Sequence, residues 1–289
     1  MNIFKIVFWG AAALLFLNCS DLSTNPNDNS FNLELVPDSI YSNVVSDTYS
    51  LYYHLPQNYD HNKEGGYPVI YLLDGAYLLY DDVEYQIMGA ATIVDSLYLI
   101  GLIPECIVVG IGYKYENQRI RDFLYPYDEI NADSGGGDKF YLFLRDELIP
   151  FVDGSFNSSG IKDRTLVGYS SGGYAVMYAM FQYDETEGAV FENYLAGSPR
   201  LYYHDFYILE ASKICFQRNP NTYPHKFYMA QGDGKFEILH STLMTFLFPF
   251  ERYYLHPEDQ FKMEIFPDVN HAHASEPAIY NGLIYLFDE

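Results

Sequence analysis

The chain has 289 residues, 49% of them hydrophobic and 18% aromatic, which is core material for one large α/β domain or two small ones. Its 39 acidic and 16 basic residues leave a formal net charge of −23. That balance excludes nucleic acid as a partner, because its phosphates would be repelled, and excludes recruitment to an anionic membrane by a basic patch.

Residues 1–19 form a processing segment outside the fold. Lys5 gives a weakly positive start, Ile6 to Leu17 is a twelve-residue apolar run, and Cys19 follows directly after Asn18. The run suits a secretory signal and falls short of the roughly 20 apolar residues that a membrane-spanning helix needs. A cysteine closing such a run resembles a bacterial lipoprotein signal, in which Cys19 is lipidated and becomes the mature N-terminus. Asn18 and Phe16 depart from the usual residues there, and ordinary cleavage leaving a free Cys19 is the alternative. The lipoprotein reading puts the protein outside the cytoplasm, lipid-anchored at the bacterial cell envelope on the periplasmic or outer-membrane side. Residues 20–30 (SDLSTNPNDNS) are polar, cannot bury enough surface to fold, and serve as a tether. The folded domain is expected over residues 31–289.

Within it, apolar runs predict strands at Tyr49–Leu55, Pro68–Leu73, Ile107–Ile111, Thr165–Val167, Tyr194–Ala196, Lys226–Ala230 and Phe261–Phe266. Helical stretches are expected between them at Gln86–Ile100, Lys139–Phe151, Tyr174–Phe181 and Phe236–Phe248. Strands alternating with helices imply crossover units, hence a single α/β domain with a mostly parallel central sheet and helices on both faces. Of the two cysteines left after Cys19, Cys106 opens a strand-like run and reads as a buried thiol. Cys106 and Cys215 could pair in an exported domain, but nothing in the sequence requires it. Thirty tyrosines are an unusual excess; a flat apolar face with a polar tip suits sugar or aryl substrates, while for any single tyrosine core packing is the commoner role.

In open α/β sheets function gathers at the carboxyl ends of strands. Four such loops carry chemistry: Asp74-Gly75-Ala76-Tyr77, Gly168-Tyr169-Ser170-Ser171-Gly172, Gln231-Gly232-Asp233-Gly234 and Asn270-His271-Ala272-His273. The second is a G-x-S-x-G nucleophile elbow with a strand before and a helix after, the context that exposes a serine hydroxyl on a strained turn. Ser170 is the candidate nucleophile, and the N–H of Ser171 is one candidate oxyanion donor. The groups occur in the order Ser, Asp, His, which is that of α/β-hydrolases. A His-x-His pair is also a possible metal site, but no second cluster at ligand spacing supports one.

The stretches YPVIYLLDG (67–75), RDFLYP (121–126), GGGDKFYLFLRDELIPFVD (135–153), RTLVGYSSGG (164–173), FENYLAGSPRLYY (191–203) and HASEPAIYNGL (273–283) together resemble the enterochelin-esterase and esterase D group of α/β-hydrolases. The resemblance implies an α/β-hydrolase fold from about Tyr49 to the C-terminus. It places the second oxyanion donor at Ala76. It favours His273 over His271 as the base, because His273, Ser275 and Pro277 match the spacing of the family's histidine loop. Tyr169 stands where the family usually has histidine, at a position expected to face away from the chemistry. The acid stays open: Asp233 lies nearest its strand end, Glu237 has the family spacing from Gly234, and some relatives work with a Ser–His dyad. Arg121 and Asp122 are expected to form a loop-supporting pair, and His204-Asp205 to lie on the surface or in a cap.

The expected function is a serine esterase cleaving carboxylic esters through an acyl-enzyme, of the siderophore-ester or polysaccharide-linked acyl/feruloyl type, on a small-molecule or glycan ester. No metal or organic cofactor is implied. The alternatives are acyl transfer on the same scaffold and a non-catalytic, ligand-binding surface lipoprotein.

Overall fold

The computed structural model describes residues 33, 36–219, 225–233, 242–247, 250 and 260–288. Its strands are β1 (Ser39–Ser42), β2 (Asp47–His54), β3 (Val69–Leu73), β4 (Ile107–Gly112), β5 (Thr165–Tyr169), β6 (Asn193–Gly197), β7 (Lys226–Gly232) and β8 (Phe261–Phe266). They form one sheet in the order β1-β2-β4-β3-β5-β6-β7-β8, antiparallel where β2 meets β1 and β4 and parallel elsewhere. This is the α/β-hydrolase arrangement. Every residue of β3, β4, β5 and β6 is buried, as the continuous apolar runs require of parallel strands covered on both faces.

The two faces divide by the strand period of two. Ile70, Leu72, Val108, Val167, Leu195 and Ala230 share a core with helices α2 (Ala90–Leu99) and the C-terminal helix Ser275–Phe287. On the other face α6 (Ser171–Met180), buried along its whole length, packs against β5 and β6. Around it lie α3 (Glu116–Phe123), α4 (Gly137–Phe143) and α7 (Tyr207–Arg218). Tyr49 from β2 stacks on Phe143 with ring centroids 4.4 Å apart and donates its hydroxyl to Asp122 Oδ2 at 2.8 Å. Arg121 grips the buried Asp122 through Nε at 2.7 Å and Asp47 through Nη1 at 2.8 Å, so the expected Arg121–Asp122 pair forms, but on α3, where it ties that helix to β2 instead of supporting a loop. Cys106 and Cys215 are both buried and free, and burial pushes the Cys215 thiol up to about 11. Both are therefore protonated, inert side chains of the core.

Three element boundaries differ from expectation for local reasons. The helix expected from Gln86 starts only at Ala90, because Asp82 Oδ1 accepts from the N–H groups of Glu84 and Tyr85, and Asp81 Oδ1 from Gly89, holding a turn there. The helix expected over Lys139–Phe151 runs as α4, a π turn at Leu144–Leu148, and α5 (Ile149–Ser155). Pro150 has no N–H to bond the carbonyl four residues back, and the ladder widens just before it. Strand β1 is not legible in the sequence, since Ser-Ile-Tyr-Ser carries too few apolar residues to show alternation. The expected helix Phe236–Phe248 lies largely outside the described residues, of which 242–247 are helical.

Candidate active site

Ser170 sits between β5 and α6 at φ 59° and ψ −119°, a conformation that costs a non-glycine residue about 1–3 kcal/mol. The surrounding backbone imposes it. The Ser170 N–H donates to Gly197 O at 2.8 Å, and the Ser170 carbonyl accepts from Tyr174 at 3.1 Å and Arg200 at 3.3 Å. A Cβ on Gly168 would stand 2.4 Å from Gly172 O, so only glycine lets the helix start this close to its strand. Ser171, the first residue of α6, has an N–H with no intrahelical acceptor and lies at the positive end of the helix dipole.

The second loop leaves β3 at Asp74, which is left-handed (φ 58°) and caps the single turn α1 (Gly75–Leu78). Ala76 is the second residue of that turn and is exposed. Asp74 is buried, and its carboxylate is held bidentately by Arg119 from α3, Oδ1 to Nε at 2.8 Å and Oδ2 to Nη2 at 2.9 Å. Tyr113 OH adds a third bond to Oδ1 at 2.6 Å. The loop meets the elbow directly, since a Cβ on Gly172 would lie 3.1 Å from Asp74 Oδ2. The Arg119–Asp74 pair thus fixes the Ala76 loop against the nucleophile turn. Sequence reasoning missed Arg119, because α3 reads as a short polar stretch in which Ile120 and Phe123 are the apolar residues.

The histidine loop joins β8 to the C-terminal helix. His273 Nδ1 lies 2.9 Å from Asn270 Oδ1, which also accepts the His273 backbone N–H at 3.0 Å. Since Oδ1 can only accept, Nδ1 carries the hydrogen and Nε2 keeps its lone pair. Asp233 does not reach either ring: its Oδ1 accepts from the Asp268 N–H at 2.8 Å, and its own N–H donates to Phe266 O at 3.2 Å. The carboxylate therefore pins the turn at the root of the loop, and the group on the imidazole is Asn270. Glu237 and Cys19 lie outside the described residues.

Tyr169 corrects one expectation. It does not merely face away: its hydroxyl bonds Ser198 Oγ at 2.9 Å and the His271 carbonyl, tying the elbow to the histidine loop. The His271 ring lies 5.1 Å from the Tyr169 ring. His271 as a residue is exposed, yet desolvation of its ring, and then the charge of Arg119, hold its pKa below the ordinary imidazole value. Among the described residues neither histidine makes a hydrogen bond to Ser170 Oγ, a contact that commonly tightens only when substrate is bound.

A cavity of about 240 Å³ opens beside the elbow, lined by Tyr77, Tyr80, Met88, Tyr169 and His271. A larger one, about 530 Å³, lies at the amino ends of the strands among Pro68, Glu105, Asn193 and Lys226, the wrong end of the sheet for Ser170. Among the described residues no group of three or more His, Cys, Asp or Glu is placed to hold a metal ion.

The Esterase family model, described as "Putative esterase", matches residues 42–205, which hold both the Asp74–Ala76 loop and the elbow. The chain belongs to this family. Ferri-bacillibactin esterase BesA of Bacillus subtilis is 26% identical over 189 residues, covering 58% of this chain and 60% of that protein. Siderophore triacetylfusarinine C esterase of Aspergillus fumigatus is 28% identical over 155 residues, covering 52% of this chain and 49% of that protein. The chain thus matches only about half to three fifths of these curated relatives' length. The solved BES protein from Bacillus cereus superposes with a TM-score of 0.68 at 22% identity, over 87% of this chain and 94% of that one, which shows the common fold.

Proposed function

We propose that this family member is a serine hydrolase of carboxylic esters working through an acyl-enzyme. The observation that carries the reading is Ser170, held at positive φ where α6 begins; the first-turn N–H groups of Ser171 in α6 and Ala76 in α1 have no acceptor within their own helices. Its hydroxyl attacks the ester carbonyl, and the tetrahedral oxyanion is met by those two N–H groups, each worth roughly a hundred- to thousand-fold in turnover. His273 Nε2 takes the serine proton and returns it to the leaving alcohol, then activates the water that hydrolyses the acyl-enzyme. Asn270 holds the His273 tautomer, and Asp233 supports the loop in place of contacting the ring. The tilted packing of His271 against Tyr169 and its sensitivity to Arg119 favour a second reading in which His271 is the base.

The names of the two curated relatives support a siderophore ester as substrate over a polysaccharide-linked feruloyl ester. Chromatography of the products separates the two. The purified chain is expected to open a siderophore polyester at least about tenfold faster than it releases ferulate from arabinoxylan. Failure to cleave any ester in such a panel would end the hydrolase reading.

We also propose that Cys19 carries the lipid anchor expected from its apolar run. A single acyl chain anchors only marginally, so stable retention requires several. Wild type is expected in the detergent phase of a Triton X-114 partition and Cys19→Ala in the aqueous phase. Equal partition of the two into water rules the anchor out.

A further inference from the structure

Six of the seven arginines are described, and five of them lie within 4.0 Å of a carboxylate: Arg119, Arg121, Arg145, Arg164 and Arg218. Arg200 has no such partner among the described residues. In a chain with 39 acidic residues and a net charge of −23, an unneutralised guanidinium needs a reason. Its position supplies one. Arg200 follows β6 by three residues, and its N–H donates to the carbonyl of Ser170 at 3.3 Å, so it springs from the edge of the nucleophile turn.

The guanidinium is held without being neutralised. Tyr202 and Tyr203 lie under it with ring centroids 5.5 and 5.8 Å away, and Tyr203 is fixed by a 2.6 Å hydrogen bond to Pro126 O. Nη2 reaches Asn131 Oδ1 at 3.3 Å. The nearby Asp128 carboxylate is already spent on its own turn, Oδ1 accepting from Ile130 N at 2.9 Å and Oδ2 from Asn131 Nδ2 at 3.3 Å. Nε is buried and has no hydrogen-bond partner among the described residues. A buried donor left unmade is costly, and a guanidinium fork matches a carboxylate bidentately. Tyr202 under it is 51% exposed, and Tyr127 and Ile130, next in the chain to Pro126 and Asn131, are 55% and 92% exposed, apolar surface near a charged centre.

We propose that Arg200 is a specificity residue that binds an anionic oxygen pair, a carboxylate or its equivalent, on the ester substrate while the Tyr127–Tyr202 surface covers the apolar body of the same molecule. The inference rests on the ester-hydrolase reading of Ser170 for its placement, and it adds the charge class of the substrate. Because the protein as a whole repels anions, a local cation rooted at the nucleophile turn determines whether such an ester is retained.

The test uses two matched pairs of esters. One pair carries the charge on the acyl side, 4-nitrophenyl hemisuccinate against 4-nitrophenyl butyrate. The other carries it on the alcohol side, 4-acetoxybenzoate against its methyl ester. In at least one pair Arg200→Gln is expected to lower the anionic-to-neutral ratio of kcat/KM by about tenfold or more, the scale of a charge-assisted hydrogen bond, with Arg200→Lys intermediate. Ratios that stay the same in both pairs overturn the proposal, as do equal losses on all four esters. If wild type cleaves none of the four, the hydrolase reading fails separately. Calorimetric binding of succinate and benzoate then decides: binding lost in Arg200→Gln supports the anion site, and no difference from wild type overturns it.

Discussion

Ser170→Ala is expected to lower kcat for ester hydrolysis by about 10⁶ while leaving the fold intact, on the scale of nucleophile removal in serine hydrolases. The substitution removes only the attacking oxygen. The strain at φ 59° is imposed by the Gly197 bond to the Ser170 N–H and by the Gly168–Gly172 contact, and neither involves the side chain. Alanine therefore inherits the same backbone, and the thermal midpoint should stay within a few degrees of wild type. The oxyanion donors are main-chain groups and also survive, so residual catalysis over water is expected to remain measurable. Undiminished turnover by a correctly folded Ser170→Ala protein would show that the elbow is not the nucleophile.

The parts of this site that could be read from sequence are those built by backbone. The elbow needs glycine at 168 and 172 and a strand-turn-helix context, and all of that is local. The Asp74-Gly75 turn is local in the same sense, and the buried strands announce themselves as unbroken apolar runs. What could not be read depends on partners far apart in the chain. Arg119 lies 45 positions from Asp74, and Tyr169 is 102 positions from the His271 carbonyl that it holds. Helix α3 is stabilised by Gln118 Oε1, which accepts from the N–H groups of Lys114 and Tyr115, and by ion pairs to other elements rather than by an apolar stripe. Its apolar residues, Ile120 and Phe123, are too few to have marked it. The tyrosine excess divides in the same way. Tyr49, Tyr71, Tyr174, Tyr194 and Tyr228 are core, whereas Tyr77 on α1 and Tyr80, Tyr127 and Tyr202 on connecting segments stand exposed, and only tertiary structure separates the two groups.

His273→Ala is expected to lower kcat by about 10⁴ or more, and His271→Ala by less than about tenfold. A base needs a fixed tautomer as well as proximity, and of the two histidines in this loop His273 is the one with a ring nitrogen held by an orienting acceptor, Asn270 Oδ1. Asn270→Ala should accordingly slow turnover in the same direction as His273→Ala but by a smaller factor, because the imidazole survives with its orientation released. His271 contributes its carbonyl to Tyr169, and that main-chain bond persists in His271→Ala. The pH profile gives an independent reading. Only the neutral imidazole accepts the serine proton, so activity falls as pH drops through the pKa of the base. Desolvation, and then Arg119, depress the pKa of His271, so a profile governed by that residue would keep its activity to a pH below the ordinary imidazole range. Removing the Arg119 charge by Arg119→Gln would then shift that acid limb upward. A reversed ranking of the two alanine variants, together with an acid limb that moves with Arg119, transfers the role of base to His271.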